Sequence, residues 1–165
     1  PPSDQDRPGL MLQKLPPEVS VFLAGHSVMT LATQGAAGPW AAAVFFAAAD
    51  EGLLFLSSPG SRHGLNLAHD PRCAATIHDD QNDWRRIQGI QLEGRVLELA
   101  GDDAASARRY YGEKFPLVGQ IASAPAAIVQ ALARVRWYCL RTERLCFIDN
   151  SKGFGHREEF GQPLL

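Results

Sequence analysis

Two short glycine-bearing connections, Gln34-Gly-Ala-Ala-Gly38 and Asp50-Glu51-Gly52, separate three apolar runs early in the chain. The runs are Ser27-Val-Met-Thr-Leu-Ala-Thr33, Trp40 to Ala48, and Leu53 to Ser57. Each has strand length, and connections this short cannot accommodate a parallel crossover, which takes a dozen or more residues. The three runs therefore form an antiparallel meander.

The flanking sequence extends this pattern. Pro16-Pro17 followed by Glu18 to Ala24 predicts a short helix stopped at Gly25. The polar, proline-rich start is expected to be a loose tail over residues 1–15, ahead of one domain over 16–165. A helix opening at Ser61 closes at Asp70-Pro71, and Arg72 to His78 is a strand. A polar loop leads to a longer strand from about Trp84 to Leu99. There Leu97 and Leu99 break the parity of Ile90, Leu92 and Val96, which predicts a bulge near Gly94. Helices are expected from Gly101 to about Lys114 and from Ala126 to Ala133. Two last strands are expected, Val135 to Arg141 and Arg144 to Asp149; if Thr142-Glu143 forms a two-residue turn between them, they make a hairpin with Cys139 opposite Cys146. The residues from Asn150 read as a charged, glycine-bearing tail. The fold class is mainly β (α+β): an antiparallel, closed or nearly closed barrel of about six to seven strands with two to four flanking helices. Strands and helices do not alternate as a doubly wound sheet requires.

Bulk properties narrow the partners. A formal charge of −2 gives no electrostatic case for nucleic acid or an anionic membrane. No apolar run is long enough to cross a bilayer, and no signal-peptide pattern opens the sequence. The three cysteines lack C-x-x-C spacing, so buried free thiols in a reducing cytoplasm are expected and a metal site is not. His69-Asp70 and His78-Asp79-Asp80 read as solvated loop residues.

One segment carries chemistry: Leu53-Leu-Phe-Leu-Ser-Ser-Pro-Gly-Ser-Arg-His-Gly-Leu-Asn-Leu67. A strand runs through a small-residue turn into a helix that begins Ser61-Arg62-His63. Unpaired amides and the positive end of the helix dipole suit an anion there, and Arg62 adds a forked donor matched to phosphate oxygens. A serine N-cap beside a solvated arginine is the commoner arrangement, so the segment alone leaves an anion site open beside the plainer reading of a cap. Alanines bracketing Val44-Phe45-Phe46 could let a flat ring lie against the backbone, or could pack against a helix. No G-x-G-x-x-G, P-loop, zincin or nucleophile-elbow motif occurs.

Taken in order, Gly38 to Phe46, Gly52 to His63, Asn66 to Arg72 and Gln91 to Arg95 resemble the pyridoxamine 5′-phosphate oxidase-like, FMN-binding split-barrel superfamily. Tyr110 to Pro116 and Phe147 to Gly155 resemble a bacterial subgroup of it without a settled substrate. The resemblance implies a split barrel holding FMN at a homodimer interface and acting as a flavin-dependent oxidoreductase on a small molecule. A non-catalytic flavin- or haem-binding module is the alternative. It places Arg62 on the FMN phosphate with His63 beside it, and Leu56, Ser57 and Ser61 around the phosphate and ribityl chain. Ala42, Ala43, Val44 and Phe45 lie along the isoalloxazine, and Gln91 or Gln88 reaches the partner's cofactor. The oxidase proper carries arginine at Ala42 and lysine at Ala47, and its C-terminal Arg-Leu-x-Pro element has no counterpart here. The resemblance thus implies a substrate other than a B6 vitamer.

Overall fold

The short connections act as expected. In the computed structural model, which describes residues 9–120 and 123–161, β1 (Val28–Gly35) and β2 (Gly38–Ala49) form a hairpin whose register runs from Val28↔Phe45 to Gly35↔Gly38. Gly38 closes the turn at φ 91°, a conformation that suits glycine. The second tight turn leads to β3 (Gly52–Ser57), antiparallel to β2. The later strands are β4 (Arg72–His78), β5 (Gln88–Leu99), β6 (Arg136–Asp149) and β7 (Arg157–Gly161). The helices are α1 (Pro17–Gly25), α2 (Arg62–His69), α3 (Gly101–Lys114), α4 (Pro116–Gly119) and α5 (Ala126–Ala133).

Strand order is β3-β2-β1-β4-β5-β6-β7, with β3 also pairing β6. That last ladder, Leu53↔Leu140 to Ser57↔Arg136, closes six strands into a barrel and leaves β7 as an addition on β6. Met29, Leu31, Phe46, Leu53, Phe55, Ile77, Ile90, Leu140 and Leu145 fill the interior, and Val19, Phe22 and Leu23 of α1 plug one end. Each such side chain contributes about 1.5–3 kcal/mol through removal from water. A second layer forms outside, where Ala107 and Tyr111 of α3 cover Ala47, Leu54 and Cys139.

The expected bulge lies between Glu93 and Gly94, and its extra residue is Glu143 on the facing strand. This corrects the expected pair of final strands. Thr142 and Glu143 do not turn the chain; β6 is one continuous strand of 14 residues. Thr142 is fully buried, and the polar Thr-Glu pair marks a bend. The bend carries β6 from its β3 ladder to its β7 ladder. Cys139 accordingly faces Leu54 and Leu97, and Cys146 faces Gln91 and Glu159, so the two thiols are not opposed. The total of seven strands survives because the stretch expected to be a charged tail supplies β7. Two smaller corrections follow: Trp84–Arg86 is a 3-10 turn ahead of β5, and residues 10–15 are packed. The Leu10 amide donates to Thr142 O at 2.6 Å and the Leu12 amide to Asp50 O at 3.0 Å, while Leu12 and Leu15 join the core. Residues 1–8 of the expected tail lie outside the described residues.

Burial pushes the Cys73 thiol up to about 12 and Cys139 up to about 11. Since the thiolate is the nucleophile, alkylation at neutral pH should be far slower in the native protein than in urea, where three thiols should react. A disulfide in the non-reduced mass spectrum would contradict the strand register.

Candidate functional site

The barrel is closed at one end only along the β2–β3 seam. Their ladder runs from Ala49↔Gly52 to Phe46↔Phe55 and stops. Beyond it β2 follows β1, while β3 follows β6 through Leu56↔Trp137 and Ser57↔Arg136. The strands part. Pro39–Phe45 forms one lip of the opening and Leu56-Ser57 the other, and each lip turns main-chain N–H and C=O groups toward the gap. Side chains alternate across these lips. Ala42 and Val44 share the face of Met29 and Leu31, whereas Ala43 and Phe45 point the other way. Phe45 is 60% exposed and meets Phe115 edge-on at 5.6 Å. Leu56 packs toward the α3 layer, and Ser57 is buried. A flat ligand in the gap would therefore meet backbone from both lips, not one face of side chains.

Next to the β3 lip stands the start of α2. Ser61 is its N-cap: Oγ accepts from the Gly64 amide at 3.1 Å and donates to Ser58 O at 2.8 Å. Gly64 permits this tight wrap, because a Cβ there would lie 2.6 Å from Ser58 O. Ser57 Oγ lies 3.3 Å from Ser61 Oγ and is hydrogen-bonded to His63 Nε2. The amides of Arg62 and His63, as the first of the helix, have no intrahelical acceptor. Arg62 donates to Ala37 O at 3.2 Å, and its guanidinium lies 4.4 Å from the centre of the Trp40 ring. It is thereby tethered to the β1–β2 turn and to the start of the other lip. Burial lowers the pKa of His63, so the ring is neutral at neutral pH. The Ser57 hydroxyl, a guanidinium, an imidazole and free helix amides make a donor set that fits a phosphate monoester, while Ser61 spends its single hydrogen on Ser58 O and shapes the turn.

The structure thus brings Ser57, Ser61, Arg62 and His63 together and sets Ala42, Ala43, Val44, Phe45 and Leu56 along the gap. Gln91 stands apart, exposed on the outer face of β5, where its Oε1 accepts from Arg157 at 3.3 Å. Cross-strand register links it through Thr76 and Thr30 to Ala43 in one row. Gln88 lies on the opposite face at the start of β5, against Asp149. Trp40 is the site residue that sequence reasoning missed. No local signal in the sequence singles it out, because the contact that brings it into the site links β2 to an arginine on a helix distant in the chain. Among the described residues, no three His, Cys, Asp or Glu side chains gather as metal ligands. No helix among them is long and apolar enough to cross a membrane.

Comparison with known proteins gives consistent results. The UPF0306 protein YhbP of Escherichia fergusonii is 28% identical over 141 residues, covering 84% of this chain and 88% of its own. A UPF0306 protein of Klebsiella pneumoniae is 29% identical over 120 residues, 72% of this chain and 74% of its own. Among solved structures, a heme binding protein from Mycobacterium smegmatis matches with TM-score 0.66 and 26% identity over 85% of this chain but only 55% of its own. HutZ, a heme storage protein from Vibrio cholerae, matches with TM-score 0.63 and 20% identity over 78% of this chain and 90% of its own. A FAD-binding protein from Mesorhizobium loti matches with TM-score 0.60 and 17% identity over 87% of this chain and 92% of its own. The latter two share the fold. The family model for pyridoxamine 5′-phosphate oxidase matches residues 15–149, which span the whole barrel from the foot of α1 to the end of β6, and the chain belongs to that family.

Proposed function

We propose that this protein binds FMN in the gap between β2 and β3, as a homodimer, and serves as a flavin-dependent oxidoreductase for a small molecule. The observation that carries this is the phosphate-matched donor set at the α2 start, placed beside the open seam. Arg62, Ser57 and the first amides of α2 would hold the phosphate, with Ser61 capping the helix beside it, and the lips around Ala43 and Leu56 would bear on the ring system. Hydride transfer is the chemistry the flavin supplies when bound. The protein's share is position, exclusion of water and electrostatics. A second copy would dock on the outer sheet, where Ala32, Ala41, Ala43 and Ala74 present small, exposed side chains. Gln91 lies on that face and would reach the partner's cofactor. Ala47 is 1% exposed and packs against Ala107 and Tyr111, so this position supplies apolar packing where the oxidase proper has the charge of a lysine. That packing argues against a B6 vitamer as substrate.

The likeness to the M. smegmatis protein makes haem the competing ligand. Cofactor-free protein titrated separately with FMN and with haemin, followed by absorption, tests the choice. Saturable flavin binding is expected. A Soret band with haemin and no response to FMN would replace flavin with haem.

A further inference from the structure

Of the groups at the phosphate anchor, His63 alone changes its charge near neutral pH. Its Nε2 is hydrogen-bonded to Ser57 Oγ, and Ser57 has a single hydrogen to donate. Whichever ring nitrogen carries the proton, the neutral ring brings no charge to an anion. With the proton on Nδ1, the Ser57 hydrogen is also committed to Nε2 and is withheld from a ligand. Protonation of Nε2 reverses both conditions: the ring becomes a cationic donor, and the Ser57 hydrogen is released toward the phosphate.

The surroundings keep the ring neutral until an anion arrives. From β3 it meets Ser57; on its own segment it has Ser61 and the Arg62 cation. From β2, Trp40 lies against Arg62. From β6, Arg136 is the register partner of Ser57 and is ion-paired with Glu98. Burial is the cause that lowers the His63 pKa, with no carboxylate acting on it among the described residues. We propose that His63 is the specificity-determining residue of this anchor: it takes up one proton when a phosphate monoester enters, so the site discriminates FMN from riboflavin more strongly as pH falls. This rests on the FMN reading above.

The sign follows from linkage. The bound state holds more protons than the free state, so affinity rises as pH falls through the range between the free and bound pKa values, by up to about tenfold per pH unit. Ionisation of the phosphate near about pH 6 acts in the opposite direction. The comparison is therefore made at about pH 6.5 and about pH 8.5, where the dianion predominates.

Fluorescence titration should give an FMN Kd about tenfold or more larger at the higher pH, with the riboflavin Kd unchanged. Calorimetry in two buffers of different ionisation heat should register proton uptake on FMN binding and none on riboflavin binding. His63→Lys should bind FMN tightly at both pH values, and His63→Gln weakly at both. FMN binding with a flat pH profile and no proton uptake would overturn the proposal while leaving flavin binding intact. A wild-type pH slope retained in His63→Gln would also overturn it. Failure of FMN to bind at either pH would remove flavin binding and this proposal together.

Discussion

Gly94→Ala should cost the protein about 3 kcal/mol or more and shift its urea midpoint sharply downward, or leave it insoluble. A Cβ at this position would lie 1.9 Å from the Arg141 carbonyl oxygen and 3.1 Å from Thr142 Cα. Both are main-chain atoms of β6, so no rotamer change relieves the overlap. The bulge at Glu143 brings the two backbones this close, and the same bend lets β6 pair with β3 and β5 in its first half. Pushing the strands apart would open the β5–β6 ladder of the barrel wall. An unchanged midpoint would mean that the β5–β6 register differs from the one described.

Arg62→Ala should weaken FMN binding by roughly 10- to 150-fold, the equivalent of about 1.5–3 kcal/mol for lost charge-assisted hydrogen bonds. The guanidinium is exposed, and its other partners, Ala37 O and the Trp40 ring, lie on the β1–β2 turn. Folding stability should therefore change by no more than about 1 kcal/mol, since exposed contacts of this kind contribute little. The riboflavin Kd should be nearly unaffected, because that flavin lacks the phosphate. Equal loss for FMN and riboflavin would assign Arg62 to the ring and not to the phosphate; no loss for either would remove it from the site.

The legible and illegible parts of the fold have physical causes. The meander of β1 to β3 was readable because turn length alone forbids a parallel crossover, and local geometry decides the outcome. The irregularity falls at Gly94, where the break in parity puts it, but for another reason: Ile90, Leu92, Gly94 and Val96 keep one buried face of β5 and Leu97 and Leu99 lie on its other face, while the extra residue is Glu143 of β6. The continuity of β6 was not readable: Thr142 and Glu143 look like turn residues, and only the burial of Thr142 inside a closed barrel, a long-range effect, shows otherwise. Packing of Leu12 and Leu15 was hidden for the same reason, since their partners are distant in sequence.

At the site, the Ser61 cap and the neighbouring Arg62 and His63 could be located from local pattern. Their link to Ser57 follows from the strand–turn–helix geometry around Gly64. The open seam left no local signature. It depends on where two ladders end, so the alanine-rich strand could be read either as a ring platform or as helix packing. The structure divides it between the two. Ala47 packs beneath α3, whereas Ala41 to Ala43 remain on the open lip.

The most direct measurement is a crystal structure of the protein grown with FMN. The phosphate oxygens should lie within about 2.7–3.1 Å of the Arg62 guanidinium and the Ser57 hydroxyl, with the ring system in the seam between Ala43 and Leu56. FMN bound elsewhere, or seated with its phosphate remote from the start of α2, would contradict the account.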